Sequence, residues 1–458
     1  MPSRVFISTE CTKCGGCLNL EEGTNTISCP YCGSSFLVTG YNKVLSYHIP
    51  KHLDERRTVI RSLIRRYLCT LPDHHRIQET NLFYLPFYRL TGKTFQLGTN
   101  IKSGSSSFGP LDSGQVNIRT RHLEKSFLAT HLDGLNLYSL GIRTSVLKLT
   151  LFEKEKAEEK GKVYPVTLDM DKAMDIGLGA NDKDALDRCV ISKILSIVYS
   201  PFWEINVLGR DTKFSIIIDA IGETIIEHNA PYQWLTANLK ETPCRDLPTI
   251  TFHALQCPNC GWDLAAEPEL CVFFCDHCHR VWDANDEGFK ESRGAIARVE
   301  PPFDSYPLRY YPFWIIQTNG RHGSSKEFHQ KDRKLFIPAF KVRDLTVIHR
   351  LATTFTQVQP ELDLMSLPDD LPSSRMEGAV MGWDDACELA GWMLQSFTFH
   401  SPNGIKKENL PTPFGIASRQ LIWLPFYEKG MYLRDALLHT GIQKGKIHAW
   451  RSDSFFKT

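Results

Sequence analysis

Apolar positions along the chain fall into two periods. Residues 53–68 carry Val59, Ile60, Leu63, Ile64, Tyr67 and Leu68, a three-to-four repeat that predicts an amphipathic helix. Its other side carries Arg57, Arg61 and Arg65 at four-residue spacing, with Arg56 and Arg66 beside them. Residues 184–199 read as a second helix running into Pro201, and residues 384–397 as its counterpart. Phe214-Ser-Ile-Ile-Ile218 and Glu223-Thr-Ile-Ile226, joined around Gly222, predict a pair of strands. Loops are expected at 103–114, rich in Ser and Gly, and at 364–382, which holds Pro368, Pro372, Ser373 and Ser374. The charged stretch 153–162 reads as a solvated hairpin tip or helical turn.

An aromatic-x-Pro-Phe-aromatic pentapeptide recurs four times: Tyr84-Leu-Pro-Phe-Tyr88, Tyr199-Ser-Pro-Phe-Trp203, Tyr310-Tyr-Pro-Phe-Trp314 and Trp423-Leu-Pro-Phe-Tyr427. A looser fifth is Phe336-Ile-Pro-Ala-Phe340. The first and third are offset by 226 residues, the second and fourth by 224, and Phe336-x-Pro338 follows Phe108-x-Pro110 by 228. Smaller echoes are Asp171-Lys-Ala173 with Asp384-Asp-Ala386, and Asp219-Ala220 with Asp435-Ala436. Aromatics at alternate positions predict a strand with one buried face, and proline places it at a start, a bulge or an edge. Two roles fit. The pentapeptide is either a structural corner repeated in each subdomain or an exposed aromatic ledge for proline-rich peptides or stacked bases. Four copies in a repeated frame favour the corner.

The cysteines repeat as well. Cys-x2-Cys-x14-Cys-x2-Cys occurs at Cys11, Cys14, Cys29 and Cys32, and again at Cys257, Cys260, Cys275 and Cys278. Two tight turns that each present two thiolates complete a tetrahedron around one metal ion, so two structural zinc ions are expected. Tetrathiolate sites also hold iron. Cys17 and Cys271 lie inside the repeats at non-equivalent offsets and are excluded as shared ligands. Glycine follows Cys14, Cys32 and Cys260, where the backbone must turn sharply. His279 follows Cys278, so His277 and His279 are competing ligands for the last knuckle.

The expected architecture is therefore α+β and β-rich, in two similar halves of about 1–245 and 246–458. Each half holds a four-cysteine ribbon and a mixed antiparallel strand and helix domain. The boundaries are 1–45 for ribbon 1, 46–245 for the first domain, 246–290 for ribbon 2 and 291–458 for the second domain. The ribbons are offset by 246 residues, so the first half carries about twenty extra residues, best placed at 51–68.

Composition adds limits. The 458 residues carry 53 basic and 52 acidic side chains, which gives no global electrostatic footprint for nucleic acid or anionic membrane. No run of about 18 apolar residues is present, and the N-terminus does not read as a signal peptide, so a cytoplasmic protein with reduced thiols and no membrane partner is expected. Phosphate-loop, nucleophile-elbow, His-Glu-x-x-His and dinucleotide motifs are all missing, so no catalysis is expected. Asp169, Asp171 and Asp175 lack calcium-loop spacing and read as helix-start carboxylates. His74-His75 reads as solvated. Cys69, Cys189, Cys244 and Cys387 are further unassigned thiols.

The knuckles Cys11-Thr-Lys-Cys14-Gly-Gly, Cys29-Pro-Tyr-Cys32-Gly and Cys257-Pro-Asn-Cys260-Gly-Trp resemble the zinc ribbons of transcription and replication factors. A Tyr-x-Pro-Phe-Trp element after a ribbon also resembles a group of bacterial zinc-ribbon proteins loosely named after the primosomal replication protein, without the helicase motifs of that name. The resemblance implies metal-stabilised knuckles that contact protein, DNA or RNA. The leading expectation is a zinc-stabilised protein-interaction or assembly protein with protein partners. The alternative is a nucleic-acid-binding protein that uses the ribbons and the face of Arg57, Arg61 and Arg65. Asp54 and Glu55 beside that face can also make it an ordinary solvated surface.

Overall fold

The computed structural model describes residues 6–40, 44–49, 53–71, 74–98, 117–132, 149–179, 188–239, 250–285, 287–299, 307–318, 334–367, 375–398 and 416–447. Strands dominate, in two large mixed sheets and two small three-stranded ones. The spine of each large sheet is a pair of long antiparallel strands. In the first sheet these are Arg76–Gly98 and Arg188–Leu208; in the second they are Leu308–Thr318 and Ile416–Lys429. Each pentapeptide lies inside one of these four strands.

The two spines share one register. Tyr84 faces Pro201 and Pro86 faces Tyr199; correspondingly, Tyr310 faces Pro425 and Pro312 faces Trp423. Proline donates nothing to the ladder, but its carbonyl still accepts. Pro86 accepts from the Ala129 amide (2.8 Å) and Pro312 from Ala339 (2.9 Å). Pro201 accepts from Ala220 (3.0 Å) and Pro425 from Ala436 (2.9 Å).

The flanking strands repeat as well. Leu45–His48 and Gly294–Ala297 lie parallel to the second spine strand of their sheets, each with an antiparallel neighbour, Leu149–Leu151 and Leu364–Ser366. Lys162–Val163 and Arg375–Met376 run parallel to the first spine strand, beside Tyr84 and Tyr310. Lys213–Asp219 and Tyr432–Asp435 follow the second spine strand, and their closing aspartates face Phe202 and Phe426.

Several expectations are corrected. Residues 188–208 form a strand, not a helix. Cys189, Val190, Ile191 and Val198 suit a strand buried on both faces, and such an apolar run cannot be told from a buried helix by period alone. The counterpart of the helix Trp383–Thr398 is instead Met170–Leu178. The Ala173 amide donates to Asp169 O (2.9 Å) as the Ala386 amide donates to Gly382 O (3.1 Å), so Asp171-Lys-Ala173 and Asp384-Asp-Ala386 occupy matching first turns. The spine strands do not alternate between buried and exposed: every pentapeptide residue is buried, prolines included, and each proline lies inside a strand paired on both sides, not at a strand start or on an edge strand. Phe108 and Pro110 lie outside the described residues. Pro338 faces Phe313 as Leu128 faces Phe87, an offset of 210 rather than 228.

The amphipathic helix forms at Leu53–Leu68 as expected, with Ile60, Ile64 and Leu68 buried. Val59 is 48% exposed and is not part of its apolar stripe. This helix sits between Leu45–His48 and Arg76–Gly98. The matching connection, between Ala297 and Leu308, is too short to hold a 16-residue helix. The hairpin Lys213–Asp219 and Thr224–Ala230 forms, and Lys154–Glu158 is a short helix within the charged stretch. Residues 103–114 lie outside the described residues; within 364–382, short strands form at Leu364–Ser366 and Arg375–Met376.

The two sheets share a core. Phe95, Cys189 and Ile191, at the far end of the first spine, pack with Trp314, Leu389 and Trp392 of the second sheet and its helix. A bulge between Ile191 and Ile194 puts Ser192 at φ 52°, and its amide donates to both carboxylate oxygens of Asp385 (3.0 and 2.9 Å). Lys193 pairs with Glu388 beside it.

Candidate metal centres

Each cysteine pair sits on a tight turn closed by two backbone hydrogen bonds. In the first knuckle the Gly15 amide donates to Cys11 O and the Cys11 amide to Gly16 O, both at 2.8 Å. The same pair of bonds recurs from Gly33 to Cys29 and Cys29 to Ser34, from Gly261 to Cys257 and Cys257 to Trp262, and from His279 to Cys275 and Cys275 to Arg280. The residue after the second cysteine is left-handed in all four: Gly15 at φ 70°, Gly33 at 72°, Gly261 at 75° and His279 at 58°. Glycine adopts this conformation freely, whereas His279 takes it with a side chain.

The two ribbons also match strand for strand. Glu10 faces Cys17 as Gln256 faces Asp263. Thr26, Ile27 and Ser28 face Leu37, Phe36 and Ser35, as Val272, Phe273 and Phe274 face Asp283, Trp282 and Val281.

These turns bring the eight predicted sulfurs into two clusters. Sγ of Cys11 lies 3.8 Å from that of Cys32, and Cys14 lies 3.7 Å from Cys29. In ribbon 2 the distances are 3.5 Å for Cys257 and Cys278 and 3.6 Å for Cys260 and Cys275. Within each cluster all four sulfurs lie within 4.8 Å of one another. A tetrahedron with metal–sulfur bonds near 2.3 Å has edges of about 3.8 Å, so both donor sets fit one metal ion each. None of the eight is in a disulfide.

Each cluster contains a sulfur that ionises readily. The Ser34 hydroxyl and amide hold Cys32 down to about 6. Against the cost of burial, the Arg280 amide, the Asn259 side chain and the neighbouring thiols bring Cys278 to about 7. Burial pushes Cys275 up to about 12.

The histidines stand outside the clusters. The His277 ring stacks on Trp262 (centroids 5.1 Å apart) and the His279 ring on Phe274 (6.1 Å). The spare thiols are also apart. Cys17 and Cys69 are exposed and Cys189 is buried, while Cys271 lies 3.4 Å from Ala379 O, where burial pushes it up to about 12. Cys244 lies outside the described residues.

Surface aromatics on the knuckles were not anticipated. Tyr31 is 69% exposed and Trp262 is 55% exposed. The Tyr31 ring lies over Gly16, where a Cβ would collide with it. The 246-residue offset maps Gly16 onto Trp262 and Tyr31 onto His277, so the same spot carries Tyr over Gly in one ribbon and Trp against His in the other. Aligning the two motifs would have revealed the pair.

The ribbons pack together. Thr251–Ala254, which leads into ribbon 2, pairs with Ser35–Thr39 of ribbon 1. Leu37 enters the ribbon 2 core with Leu255, Leu264, Leu270 and Phe273, and Phe252 packs edge-on against Phe36 (5.9 Å). Ribbon 1 is fixed to the first sheet by Arg89, which is buried and paired with Glu22 and with Glu124 (3.1 Å). Phe6–Glu10 also runs parallel to Leu149–Leu151.

Of the other predicted features, Arg57, Arg61 and Arg65 are exposed, with Arg57 also 5.7 Å from the centroid of the Trp203 ring. The side chains of Asp54 and Glu55 lie outside the described residues. Asp169 caps the helix Met170–Leu178 by accepting from the Asp171 amide (2.9 Å), as a helix-start carboxylate should. His74 is exposed; His75 is half-buried, 3.3 Å from the Thr212 hydroxyl. Burial of all four pentapeptides rules out the exposed aromatic ledge. Among the described residues no helix is long and apolar enough to cross a membrane. No family model, curated protein or solved structure matches the chain.

Proposed function

We propose that the chain is a zinc-stabilised interaction or assembly protein without catalytic chemistry, built as an internal duplication and acting through its two ribbons. The observation that carries this reading is the exposed aromatic on each four-cysteine cluster, Tyr31 on one and Trp262 on the other. A tetrathiolate ion has no open position for water or substrate, so the outer knuckle surface is what remains for work. Exposed aromatics set on rigid turns are typical of interface anchors. Residues 257–278 carry Asp263, Glu267, Glu269 and Asp276 with no Lys or Arg; Glu269 is paired with Lys93 (3.9 Å) and Lys341 (3.0 Å), and the other three favour a protein surface bearing positive charge over nucleic-acid phosphate.

Zinc is preferred to iron because the 14-residue gap between knuckles suits a compact structural ribbon, the usual setting of a closed four-thiolate zinc site. Duplication is supported by the matching registers of the ribbons and of the spines. The domain boundaries near 45, 245 and 290 follow from that reading, as does a cytoplasmic setting in which the thiols stay reduced.

The test is affinity capture of the tagged chain from its native extract, with nuclease present, for wild type and for a Tyr31→Ala, Trp262→Ala double variant. The reading expects a stoichiometric protein that survives nuclease and is lost with the double variant while metal content stays constant. Equal recovery of the same protein by both forms contradicts it, as does recovery that nuclease abolishes.

A further inference from the structure

The helix Leu53–Leu68 is the one described element of the first sheet with no place for a counterpart in the second, and the ribbon-based function leaves it unused. Its apolar side is spent on its own domain, where Ile60, Ile64 and Leu68 share a core with Tyr84, Ile205 and Ile216. The side facing out carries Arg57, Arg61, Arg65 and Arg66, all exposed. Among the described residues none of the four makes an ion pair. Arg57 is partly committed, because its guanidinium lies over Trp203. Arg61 and Arg65 follow one turn apart, about 6 Å along the axis.

The row of charge continues beyond the helix. Arg57 lies at Trp203, while Tyr67, near the other end, lies 5.0 Å from the ring of His228 on Thr224–Ala230. The helix therefore crosses obliquely from the Arg188–Leu208 strand to Thr224–Ala230, two strands away, and the chain after it reaches the turn between Leu208 and Lys213 at His75, 3.3 Å from the Thr212 hydroxyl. At that turn Leu208 faces both Arg76 and Lys213. Arg76, Arg210 and Lys213 are all exposed there, with Asp211 as the acidic neighbour in the turn and Glu79 engaged by Asn206 (3.2 Å).

We infer that this face, from Arg61 through Arg65 and Arg66 to Arg76, Arg210 and Lys213, binds the phosphate backbone of a nucleic acid. A line of exposed guanidinium groups at one-turn spacing suits a linear polyanion, because each neutralised phosphate releases a condensed counterion. Guanidinium forks also match phosphate oxygens in pairs. An anionic membrane fits less well: the apolar side that would enter the lipid is already buried. The surface lies apart from the acidic ribbon and does not depend on the ribbon reading. Together they describe a chain that holds a protein at its knuckles and a nucleic acid along its helix.

The experiment uses the full metal-loaded chain with a labelled mixed-sequence oligonucleotide, single-stranded and duplex, titrated from roughly 50 to 200 mM salt. Wild type is expected to bind and to lose affinity steeply as salt rises. Arg61→Gln, Arg65→Gln, Arg66→Gln together should weaken binding at the lowest salt at least tenfold and flatten the log–log salt slope by about 2–3. Lys replacements at the same three positions, which keep the charge, should retain most of the slope. Lys156→Gln, an exposed base already paired with Glu153, should change nothing. Should the triple Gln form not fold, Arg65→Gln alone is expected to lower the slope by about 1. The inference is overturned if neither oligonucleotide binds, if the Gln variants bind with unchanged slope, or if their only loss is of binding to phosphatidylserine vesicles.

Discussion

Ribbon 1 and ribbon 2 have the same ligand spacing and strand register, yet their open edges are covered from different places. In ribbon 2 the edge strand Val281–Asn285 is paired by the chain that follows it, Gly288–Ser292, within one continuous hairpin. In ribbon 1 the equivalent strand Ser35–Thr39 is paired by Thr251–Ala254, more than two hundred residues away in sequence. Their cores differ accordingly. The ribbon 1 cluster gathers Cys11, Leu18, Cys29 and Phe36, while ribbon 2 adds Leu255, Leu264, Leu270, Phe273 and Trp282 and takes Leu37 from ribbon 1. Small modules rely on metal when they cannot bury enough apolar surface. With a metal ion in each cluster, ribbon 1 would depend on that ion and on its neighbour, whereas ribbon 2 would depend mainly on its ion and its own hairpin.

The largest effect should come from breaking this asymmetry at the ligands. Cys257→Ser is expected to free the lead-in strand as well as ribbon 2, so hydrogen exchange should accelerate at both 272–285 and 35–39. Cys11→Ser should accelerate exchange in ribbon 1 and leave 281–292 protected. Symmetrical damage from the two variants would refute the dependence of one ribbon on the other.

Next in size is the anchor that fixes ribbon 1 to its sheet. Arg89→Met leaves the buried Glu22 carboxylate unpaired, at a cost of about 3–5 kcal/mol. The equivalent position in the second spine is Ile315, which has no such duty. A shift in denaturation midpoint worth less than about 1 kcal/mol, the range of an exposed pair, would mean that the pair is not what holds the ribbon.

A smaller effect should come from the corner aspartate of the second sheet. Asp435 accepts from the amides of Leu437 (3.1 Å), Leu438 and Thr440 (2.6 Å). Unpairing buried donors costs about 1–3 kcal/mol each before relaxation. Asp435→Ala should thus destabilise by about 2–4 kcal/mol in thermal or chemical unfolding, and a loss below about 1 kcal/mol would contradict that role.

The smallest effect is a pH dependence. Against the burial that would raise it, Lys446 (2.8 Å) and the Thr346 hydroxyl and amide hold the Asp344 carboxyl below its ordinary value of 3.8. A depressed carboxyl stabilises the fold above its unfolded value, and that contribution disappears as pH falls through the folded one. Urea midpoints of wild type and Asp344→Asn should therefore differ at pH 6 and converge only as pH falls below 3.8 and through the depressed folded value. A gap that persists or widens in acid would contradict the assignment.

Much of this was legible in the sequence. The clustering of the eight cysteines could be read because a four-thiol site needs two tight turns, and Cys-x2-Cys with a left-handed residue after it encodes each turn. The pentapeptides could be read as strands but not in their place: a start, bulge or edge with one buried face was expected, whereas all four lie inside the paired spine strands and are buried on both faces. The helix at 53–68 followed from its stripe, although Val59 faces water. Three features were not legible. Residues 188–208 are too uniformly apolar for period to separate strand from helix, and only pairing with Arg76–Gly98 decides it. The sharing of Phe95, Cys189 and Ile191 with the second sheet depends on the length of that hairpin, which no local pattern carries. The stitch between Thr251–Ala254 and Ser35–Thr39 is a contact distant in sequence and has no local signal at all.

The measurement that bears most directly on the account is the metal content of the purified chain by native mass spectrometry, for wild type, Cys11→Ser, Cys257→Ser and the double variant. Two tetrahedral thiolate centres predict two zinc ions in wild type, one in each single variant and none in the double. Two metals retained by either single variant, or a wild-type chain that binds none after reconstitution, would contradict it.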